Sequence, residues 1–405
     1  MPPTERLYYI DSHLIEFEAL VTDRSERVSG WTAVTLDRTA FYPTGGGQPS
    51  DTGTLDSVRV VECIDDDENG VWHVIQGRAP EIGTRVKGRV DWSRRLDHMQ
   101  QHTGQHILSQ AFVTLFKAPT RSFRVLGQSC EIDVDISNPT SEMIERAVEL
   151  ANNVIWEDRP VTVRQVTPEQ AAELPLRKDP ARDAELRLIE IEGFDLTPCG
   201  GTHAYRTGEV GIVAVRCWER AKGLTRIEWV AGGRALADYR RANQSSRAIA
   251  ALFSGSRDDA PALAEKMLEE NKELQRQVRA LEDIAAGVEA EQVLANAGIG
   301  PDGTRIVAHV FADRDADSLR RLAVALIARP QIIALLGSRD KETARLVFAR
   351  SPDAPGDMNA LMREACATLD GRGGGKPDLA QGGGKHLQKL DEAIAHASQT
   401  FRQSP

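Results

Sequence analysis

The sequence has few cysteines and no long apolar run. The five cysteines are sparse, odd in number and unclustered: Cys63, Cys130, Cys199, Cys217 and Cys366. That pattern argues against a disulfide framework and favours a reducing compartment. No segment approaches the roughly 20 apolar residues that a membrane span needs, and the start has no signal-peptide core. We therefore expect a cytoplasmic protein without a membrane partner.

An excess of positive charge is also missing. The net charge is −10, and the 405 residues are 41% hydrophobic and 27% charged. This composition is ordinary for a globular protein, and the length predicts two to four domains. The acidic total argues against a protein that coats nucleic acid through bulk charge. Any RNA site must therefore be a concentrated local one.

The distribution of apolar and turn-forming residues predicts an α+β protein in four parts. Residues 1–92 are β-rich, and we expect a β-barrel-like domain interrupted by the glycine-rich loop FYPTGGGQPSDTG. Residues 93–234 mix helices and strands, and 235–296 form a polar, helical linker. Residues 297–405 contain RIVAHVF and QIIALLGS with a helical pattern between them, which is typical of a β-α-β unit in an α/β domain.

Three helices are predicted in the middle of the chain. Ser93 is the expected N-cap of the first, which contains QQHTGQHILSQAF, and Ser141 is the expected N-cap of the second. In the linker, an apolar seam indicates either a helix lying on its own domain or a coiled coil, including one between two copies. The seam residues are Met267, Asn271, Leu274, Val278, Leu281, Ala285 and Val288.

Two short motifs predict a metal site. His102 and His106 lie four residues apart in a helical segment, where such side chains share a face. CGGTH supplies Cys199 and His203, and its two glycines let the backbone turn so that both side chains point inward. Three imidazole nitrogens and one thiolate suit zinc, with one ion per chain. An HxxxH pair alone is also an ordinary helix face, but the second motif favours the metal site.

The first motif lacks the glutamate of the HExxH motif. Zinc proteases use that glutamate as the general base beside metal-bound water. Thr103 and Gln105 cannot replace it at neutral pH, so a protease is disfavoured. Four protein ligands would also close the coordination sphere, as in structural sites. The zinc is therefore either structural or loses one ligand when the substrate arrives.

The motifs together resemble a known family. FYPTGGGQPSDTG, QQHTGQHILS and CGGTH occur in this order in the editing domain of alanyl-tRNA synthetase and in the freestanding alanyl-tRNA editing proteins, the AlaX group. GRGGGKPDLAQGGG is similar to the glycine motif of the synthetase's C-terminal, DHHA1-type domain. The four blocks cover nearly the whole chain. The resemblance to long-form AlaX proteins implies a zinc editing domain at 93–234 and a DHHA1-like domain at 297–405.

The resemblance also carries an expected activity. The synthetase's ATP-using domain would precede this region, but the editing block begins at residue 1, and neither GGGKP nor GGGKH has P-loop spacing. We therefore expect an aminoacyl-tRNA deacylase that hydrolyses a wrong aminoacyl ester without making one. The implied substrate is mischarged tRNA(Ala), chiefly Ser-tRNA(Ala), with Gly-tRNA(Ala) as a second substrate.

The resemblance implies a set of residues in the reaction pocket. Thr103 is expected to bond the hydroxyl of a misattached serine, although it is alternatively an ordinary helix residue. Gly45, Gly46, Gly47 and Gln48 are expected to approach the pocket from the β-rich domain, with a simple tight turn as the alternative. Gln128 is a further candidate. Cys130 is expected to be a small buried apolar residue rather than a nucleophile.

Local basic clusters are the candidate tRNA contacts, because phosphate binding needs cationic donors. The alternative for each is a solvated charged surface. In the family, the C-terminal domain serves the outer corner of tRNA and dimerisation, so we also expect a homodimer through the linker or that domain. The candidates are Arg121 and Arg124; Arg216, Arg220, Lys222 and Arg226; and Arg372, Lys376, Lys385 and Lys389.

Two other functions remain open at this point. One is the editing of a different mischarged tRNA, such as Ser-tRNA(Thr). The other is a non-catalytic tRNA-binding protein with a structural zinc.

Overall fold

The computed structural model describes residues 4–27, 31–66, 70–178, 186–299 and 303–402. The chain divides into two compact units, residues 1–248 and 249–405. The architecture is mixed α+β, as predicted, while the finer four-part division remains a prediction. Among the described residues, no helix has both the length and the apolar character needed to cross a membrane.

The first unit begins with a β-rich region. Six strands close a barrel in the order β2-β3-β7-β6-β5-β8, and the short strands β1 and β4 pair with each other in parallel. The strands are β1 Glu5–Arg6, β2 Glu16–Arg27, β3 Trp31–Leu36, β4 Arg38–Thr39, β5 Gly53–Leu55, β6 Val58–Asp66, β7 Gly70–Gln76 and β8 Arg85–Val90.

The barrel closes around an apolar core because its strands alternate. In β8, Val86 and Val90 are buried while Arg85, Lys87 and Arg89 face solvent, the period of two that a half-buried strand requires. The glycine-rich loop between β4 and β5 projects from this framework. An isolated bridge joins Gly45 to Gln48, so the loop contains a tight turn.

The rest of the first unit mixes helices with two small sheets. One sheet has the order β14-β15-β10-β9, and the other has β11-β12-β13. The elements are α1 Trp92–Phe116, β9 Thr120–Val125, β10 Cys130–Val134, α2 Ser141–Trp156, β11 Val161–Val166, α3 Pro168–Ala172, β12 Leu186–Ile191, β13 Asp195–Pro198, β14 Val213–Ala221, β15 Leu224–Ala231 and α4 Gly232–Leu252.

Helix α1 is the central element of this unit. Its apolar residues Ile107, Leu108 and Phe112 are fully buried in the main core. Its side chain Arg95, also fully buried, pairs with Asp51 at 2.5 Å and thereby fastens the helix to the barrel. An unpaired buried charge would be costly, so both partners are needed.

The two predicted N-cap residues are wrong by one or two positions. Asp91 caps α1, and its side chain accepts from the amide of Arg94, so Ser93 lies inside the first turn instead. Thr140 caps α2, and Ser141 is its first helical residue. The neighbouring residue offered an equally good oxygen in each case, because Asp and Thr are also preferred N-caps.

The second unit is a helix followed by a six-stranded sheet in the order β16-β17-β18-β19-β21-β20. β17 and β18 are parallel with α6 between them, which confirms the predicted β-α-β unit. The elements are α5 Ala260–Ala295, β16 Gly298–Ile299, β17 Arg305–Ala312, α6 Ala316–Ile327, β18 Ile332–Arg339, β19 Ala344–Arg350, α7 Met358–Thr368, β20 Gly371–Gly375, β21 Leu379–Gly384 and α8 Leu390–Arg402.

Helix α5 packs on its own unit through its C-terminal end. Ala290 and Leu294 join the core beneath α6, while the seam residues Leu274 and Leu281 are 58% and 65% exposed. The predicted seam is therefore not the surface that packs on the sheet of the second unit.

Candidate metal centre and its cavity

The two metal motifs meet in the folded first unit. The ligand atoms of His102, His106, Cys199 and His203 all lie within 4.8 Å of one another. Cys199 Sγ is 3.4 Å from His102 Nε2 and 3.3 Å from His203 Nε2. Ligands of a tetrahedral zinc ion are about 3.3–3.7 Å apart, given bonds of about 2.0–2.3 Å. The donor set and its spacing therefore fit such a metal ion.

Glycine is required where the two motifs approach each other. A Cβ atom at Gly201 would lie 2.1 Å from Cε1 of His102, far inside contact distance. A Cβ at Gly200 would meet only the Tyr9 side chain, at ordinary contact distances of 3.6 Å to its hydroxyl and 3.8 Å to Cε1. Of the two glycines in CGGTH, the second thus lets the loop close over the His102 ring.

Each histidine places its Nδ1 atom against an oxygen. His102 Nδ1 lies 2.7 Å from Gln48 Oε1, His106 Nδ1 is 3.1 Å from Asp195 Oδ2, and His203 Nδ1 is 3.2 Å from Thr103 Oγ1. These contacts favour the tautomer with the proton on Nδ1, which leaves Nε2 free as a metal ligand. The ligand rings are therefore oriented by three chemically different acceptors: an amide, a carboxylate and a hydroxyl.

Asp195 is the charged member of this outer set. Its carboxylate also accepts from Arg177 Nε at 2.6 Å and from Thr197 Oγ1 at 2.9 Å. Burial alone would raise the pKa of Asp195, but the bonds from His106 and Arg177 lower that pKa to about 2. Burial likewise opposes ionisation of His106, but its bond to Asp195 raises the pKa of that ring overall.

The surroundings of Cys199 favour the thiolate form of its side chain. Burial would raise the pKa of Cys199, but the adjacent rings of His102 and His203 hold that pKa well below its ordinary value. The backbone around it is held by Arg187, which donates to the carbonyls of Cys199 and Gly201 at 2.7 and 3.0 Å. Burial lowers the pKa of His203 to about 3, so this ring is neutral, as a ligand must be.

Three of the four candidate ligands, His102, His106 and Cys199, line a cavity of about 560 Å³ that has two walls. The barrel supplies Arg6, Tyr8, Tyr9, Asp65 and loop residues 42–46. The opposite wall contains His102, Gln105, His106, Thr120, Arg121, Ser122, Phe123, Arg177, Lys178 and residues 197–201. A volume of this size is in the range of small-molecule sites.

Only some of the predicted pocket residues line the cavity. Gly45 and Gly46 line the cavity, whereas Gln48 is 1% exposed and lies behind His102. Gly47 has φ +83°, and a Cβ there would lie 2.3 Å from the Phe123 carbonyl oxygen, so it packs the loop on β9. Gln128 is exposed in the turn after β9, where it accepts from Arg241 rather than lining the cavity.

Thr103 is fully buried, and its hydroxyl contacts protein on two sides. Its Oγ1 lies 3.2 Å from His203 Nδ1 and accepts from the amide of Ala204 at 3.1 Å. Thr103 does not line the cavity, whereas Thr120 does, and the Thr120 hydroxyl donates to Ser109 Oγ at 2.7 Å. Cys130 is fully buried and its pKa is raised to about 12, chiefly by burial, in keeping with an apolar role.

Sequence reasoning missed Gln105, Thr120, Arg177, Lys178 and Asp195 as site residues. Gln105 lies between the two histidines of HTGQH, and the other four belong to no compact motif. Asp195 could have been suspected as a lone carboxylate four residues before Cys199, but nothing in the sequence pairs it with His106, 89 positions away.

The predicted basic clusters of the first unit are largely ion-paired. Arg121 pairs with Asp135, Arg124 with Glu131, and Arg226 with Asp133, at 2.5–2.8 Å. Arg216 lies between Glu228 and Asp238, while Arg220 donates to the Ser137 carbonyl and to Asn138. Lys222 occupies the turn between β14 and β15 with φ +52°. Most of these cations thus belong to mixed ion-pair surface, and Arg121 also lines the cavity.

The C-terminal cations surround a glycine-rich edge. Arg372 lies on β20, Lys376 follows that strand, and Lys385 and Lys389 follow β21; all four are exposed. Glycines in β20 and β21 leave room for helix α7, which packs against these strands. A Cβ at Gly382 would lie 2.4 Å from Cys366 Sγ of α7.

Comparison with known proteins places this site in a class. Residues 186–228 match the threonyl and alanyl tRNA synthetase second additional domain, 303–403 match the DHHA1 domain, and 6–94 match the tRNA synthetases class II (A) model. The three matches span both units and include Cys199 and His203. Two of the three models are named for tRNA synthetases, so the chain is related to proteins of the aminoacyl-tRNA synthetase class.

The relatives specify the family. The chain is 33% identical to alanyl-tRNA editing protein AlaX-L of Pyrococcus horikoshii, over 93% of this chain and 94% of that protein. It belongs to this family of alanyl-tRNA editing proteins, as its motifs predicted. It is also 33% and 32% identical to the alanine–tRNA ligases of Natronomonas pharaonis and Pyrobaculum calidifontis, over 99% and 98% of this chain. It spans 44% of the length of each ligase.

Among solved structures, the C-Ala domain of Aquifex aeolicus alanyl-tRNA synthetase matches 26% of this chain and 96% of that chain. The sequence identity is 29% and the TM-score is 0.25.

Proposed function

We propose that this protein is a hydrolase that removes wrongly attached amino acids from tRNA(Ala), chiefly serine and secondarily glycine. One observation carries the proposal. Four side chains have metal-ligand geometry, and three of them, His102, His106 and Cys199, line a cavity large enough for an aminoacyl nucleoside. The chain that holds them aligns over 93% of its length with an alanyl-tRNA editing protein. The same family and the absence of a membrane-spanning helix among the described residues support a cytoplasmic place of action.

We assign zinc to the four-ligand site. Three imidazoles and a thiolate are the donors that zinc prefers, and one ion per chain is expected. When bound, the ion supplies Lewis-acid polarisation of an ester carbonyl or of water. The chain's own residues do the rest: Gln48, Thr103 and Asp195 hold the three rings, while the cavity walls orient the ester and limit access of bulk water.

The aminoacyl ester does not demand a strong side-chain base. Asp65 is the carboxylate that lines the cavity in the described chain, and Arg6 holds it in a bidentate pair at 2.6 and 2.7 Å. An aminoacyl ester is already activated, so orientation and carbonyl polarisation contribute more than proton abstraction. The missing HExxH glutamate is therefore compatible with hydrolysis of an ester rather than of a peptide.

Serine selectivity needs a hydrogen-bonding group that faces the substrate. Thr103 was the predicted sensor, but its hydroxyl already contacts His203 and Ala204. Thr120 donates to Ser109 Oγ, and Gln105 donates to the same oxygen at 2.8 Å. Thr120 Oγ1 is the donor in its bond to Ser109 and so keeps acceptor capacity, and Thr120 lines the cavity, where an acceptor suits a serine hydroxyl. We therefore assign the sensing role to Thr120 and the positioning of His203 to Thr103.

We also propose that two copies associate through α5. Its seam presents Met267, Leu274, Val278, Leu281 and Val288 at heptad spacing, each between 49% and 65% exposed. A self-complementary seam of this kind suits a second copy of the same helix. The exposed cations Arg372, Lys376 and Lys385 remain our candidates for tRNA contacts in the second unit. Sedimentation of wild type and of Leu274→Glu with Leu281→Glu tests the dimer; a wild-type monomer at all concentrations would contradict it.

The test of function is a panel of charged tRNAs. Purified metal-loaded protein is incubated with Ser-tRNA(Ala), Gly-tRNA(Ala), Ala-tRNA(Ala) and Ser-tRNA(Thr), and released amino acid is measured. We expect serine release from tRNA(Ala), slower glycine release and little attack on correctly charged Ala-tRNA(Ala). Intact Ser-tRNA(Ala) at micromolar protein, with tRNA still bound, would favour the non-catalytic alternative that four protein ligands permit.

A further inference from the structure

The cavity is more positive than the protein that contains it. Four cationic side chains line it, Arg6, Arg121, Arg177 and Lys178, against one carboxylate, Asp65. The whole chain has a net charge of −10. Cations concentrated in one cleft of an acidic protein attract an anion to that cleft. Only a cation that is not fully paired with a carboxylate is free to contact such an anion.

Two of these cations are committed to carboxylates. Arg6 uses Nη1 and Nη2 on Asp65, and Arg121 places Nε and Nη2 on Asp135 Oδ2. Lys178 is exposed, and no ion pair to it occurs within the described residues. Its ammonium group is therefore the most available of the four charges.

The guanidinium group of Arg177 is hydrogen-bonded along one edge only, among the described residues. Its Nε and Nη2 bond Asp195 at 2.6 and 3.1 Å, and its backbone amide donates to the Leu196 carbonyl at 2.9 Å. Its side chain is 11% exposed and lines the cavity. Within the described part of the chain, Nη1 has no hydrogen-bond partner. The guanidinium is thus fixed on one edge and open on the other.

Asp195 separates Arg177 from the metal ligands. The carboxylate lies between the guanidinium and the His106 ring, bonding both. Arg177 therefore lies beyond the shell of metal ligands and not at the reacting ester. A group that it contacts belongs to a more distant part of the same substrate.

We propose that Arg177 and Lys178 form a subsite for the phosphodiester on the 5′ side of the terminal adenosine. This inference rests on the proposed deacylase function and names the part of tRNA that the cavity mouth binds. The open edge of a guanidinium and a neighbouring ammonium are the donors that phosphate oxygens accept best. The Asp195 carboxylate bonds both Arg177 and His106. One carboxylate would therefore position both a phosphate-binding side chain and a metal ligand.

The experiment measures binding, so it does not depend on turnover. The probes are two stable analogues of seryl-adenosine with an amide in place of the ester. One has a free 5′-hydroxyl, and the other carries a 5′-methyl phosphate, so they differ by one phosphodiester. Their dissociation constants for the metal-loaded full chain are measured by calorimetry at low salt, for wild type, Lys178→Gln, Arg177→Gln and Lys117→Gln. Lys117 is an exposed lysine outside the cavity lining and matches the charge change.

Wild type is expected to bind the phosphodiester analogue about tenfold more tightly than the other, as a charge-assisted hydrogen bond predicts. Lys178→Gln and Arg177→Gln should each reduce that preference about fivefold, whereas Lys117→Gln should retain it. Arg177→Gln should in addition release zinc more readily to a chelator, and Lys178→Gln should not.

The subsite is overturned if wild type binds both analogues equally, or if Lys178→Gln and Arg177→Gln leave the preference intact. Failure of the deacylase function looks different. In that case the preference for phosphate is present, but Ser-tRNA(Ala) stays intact.

Discussion

The side chain of Gln48, in the glycine-rich loop of the barrel, accepts from His102 Nδ1 at 2.7 Å, across 54 positions of sequence. Gln48 is itself held, because its Nε2 donates to Thr202 Oγ1 at 2.9 Å. One amide therefore connects the loop, the HxxxH helix and the CGGTH turn. The glycine-rich loop is part of the metal centre's support as well as a wall of the cavity.

Replacing Gln48 tests that support. Gln48→Ala should weaken zinc binding about tenfold, because outer partners of ligand histidines contribute that much to metal affinity. Gln48→Glu keeps an acceptor of the same size and should retain most of the affinity. Zinc affinity is measured by competition with a chromogenic chelator. Equal affinities for wild type and the alanine variant would remove Gln48 from the centre.

The two glycines of CGGTH should respond differently to the same substitution. Gly201→Ala places a Cβ 2.1 Å from the His102 ring, so the turn must open and the ligand set must separate. Gly200→Ala meets only the Tyr9 side chain, no closer than 3.6 Å, which is an ordinary contact. We expect metal analysis to find well under one zinc per chain in the first variant and close to one in the second. Similar zinc contents would show that the turn is not held as described.

The two threonines should separate metal binding from serine recognition. Thr120→Val removes the hydroxyl of a cavity-lining residue that we propose as the serine sensor, so Ser-tRNA(Ala) deacylation should fall at least tenfold while zinc content stays near one. Glycine has no hydroxyl to lose, so Gly-tRNA(Ala) deacylation should fall much less. Thr103→Val removes the partner of His203 and should weaken zinc binding and slow both substrates together. The reverse pattern would restore Thr103 as the serine sensor.

Acid should destabilise the barrel through His73. Burial lowers the pKa of this fully buried ring to about 4, and its nitrogens contact Thr39 Oγ1 and the Val34 carbonyl. The unfolded chain takes up a proton near pH 6.5, but the folded chain resists it, so unfolding is favoured as pH falls from about 6.5 toward 4. Chemical denaturation at pH 7, 6 and 5 should show a smaller loss for His73→Gln than for wild type. Parallel losses would contradict this assignment.

Much of the site followed from local spacing. His102 and His106 share a helix face by geometry alone, and CGGTH supplies the complementary pair, so all four members of the cluster that could hold a metal ion were predictable. The β-α-β order around α6 was equally visible, because buried strands and an amphipathic helix have different periods. These features depend on neighbours in sequence.

The rest depends on contacts between distant residues. Gln48, Asp195 and Arg177 reach the ligands across long stretches of chain, and no local pattern marks an outer partner. The family resemblance predicts a substrate contact for Thr103, but in the folded chain its hydroxyl lies 3.2 Å from His203 Nδ1, a contact that no local pattern marks. Helix caps moved by one or two residues because adjacent residues could serve equally well.

We propose above that the candidate metal centre performs editing of tRNA(Ala). The most direct test of this proposal is serine release from Ser-tRNA(Ala), measured with zinc content on the same preparation, for wild type and Cys199→Ala. We predict one zinc per chain and rapid release in wild type, with loss of both in the variant, and little release from Ala-tRNA(Ala) by either. Intact Ser-tRNA(Ala) in the presence of zinc-loaded wild type would contradict the account.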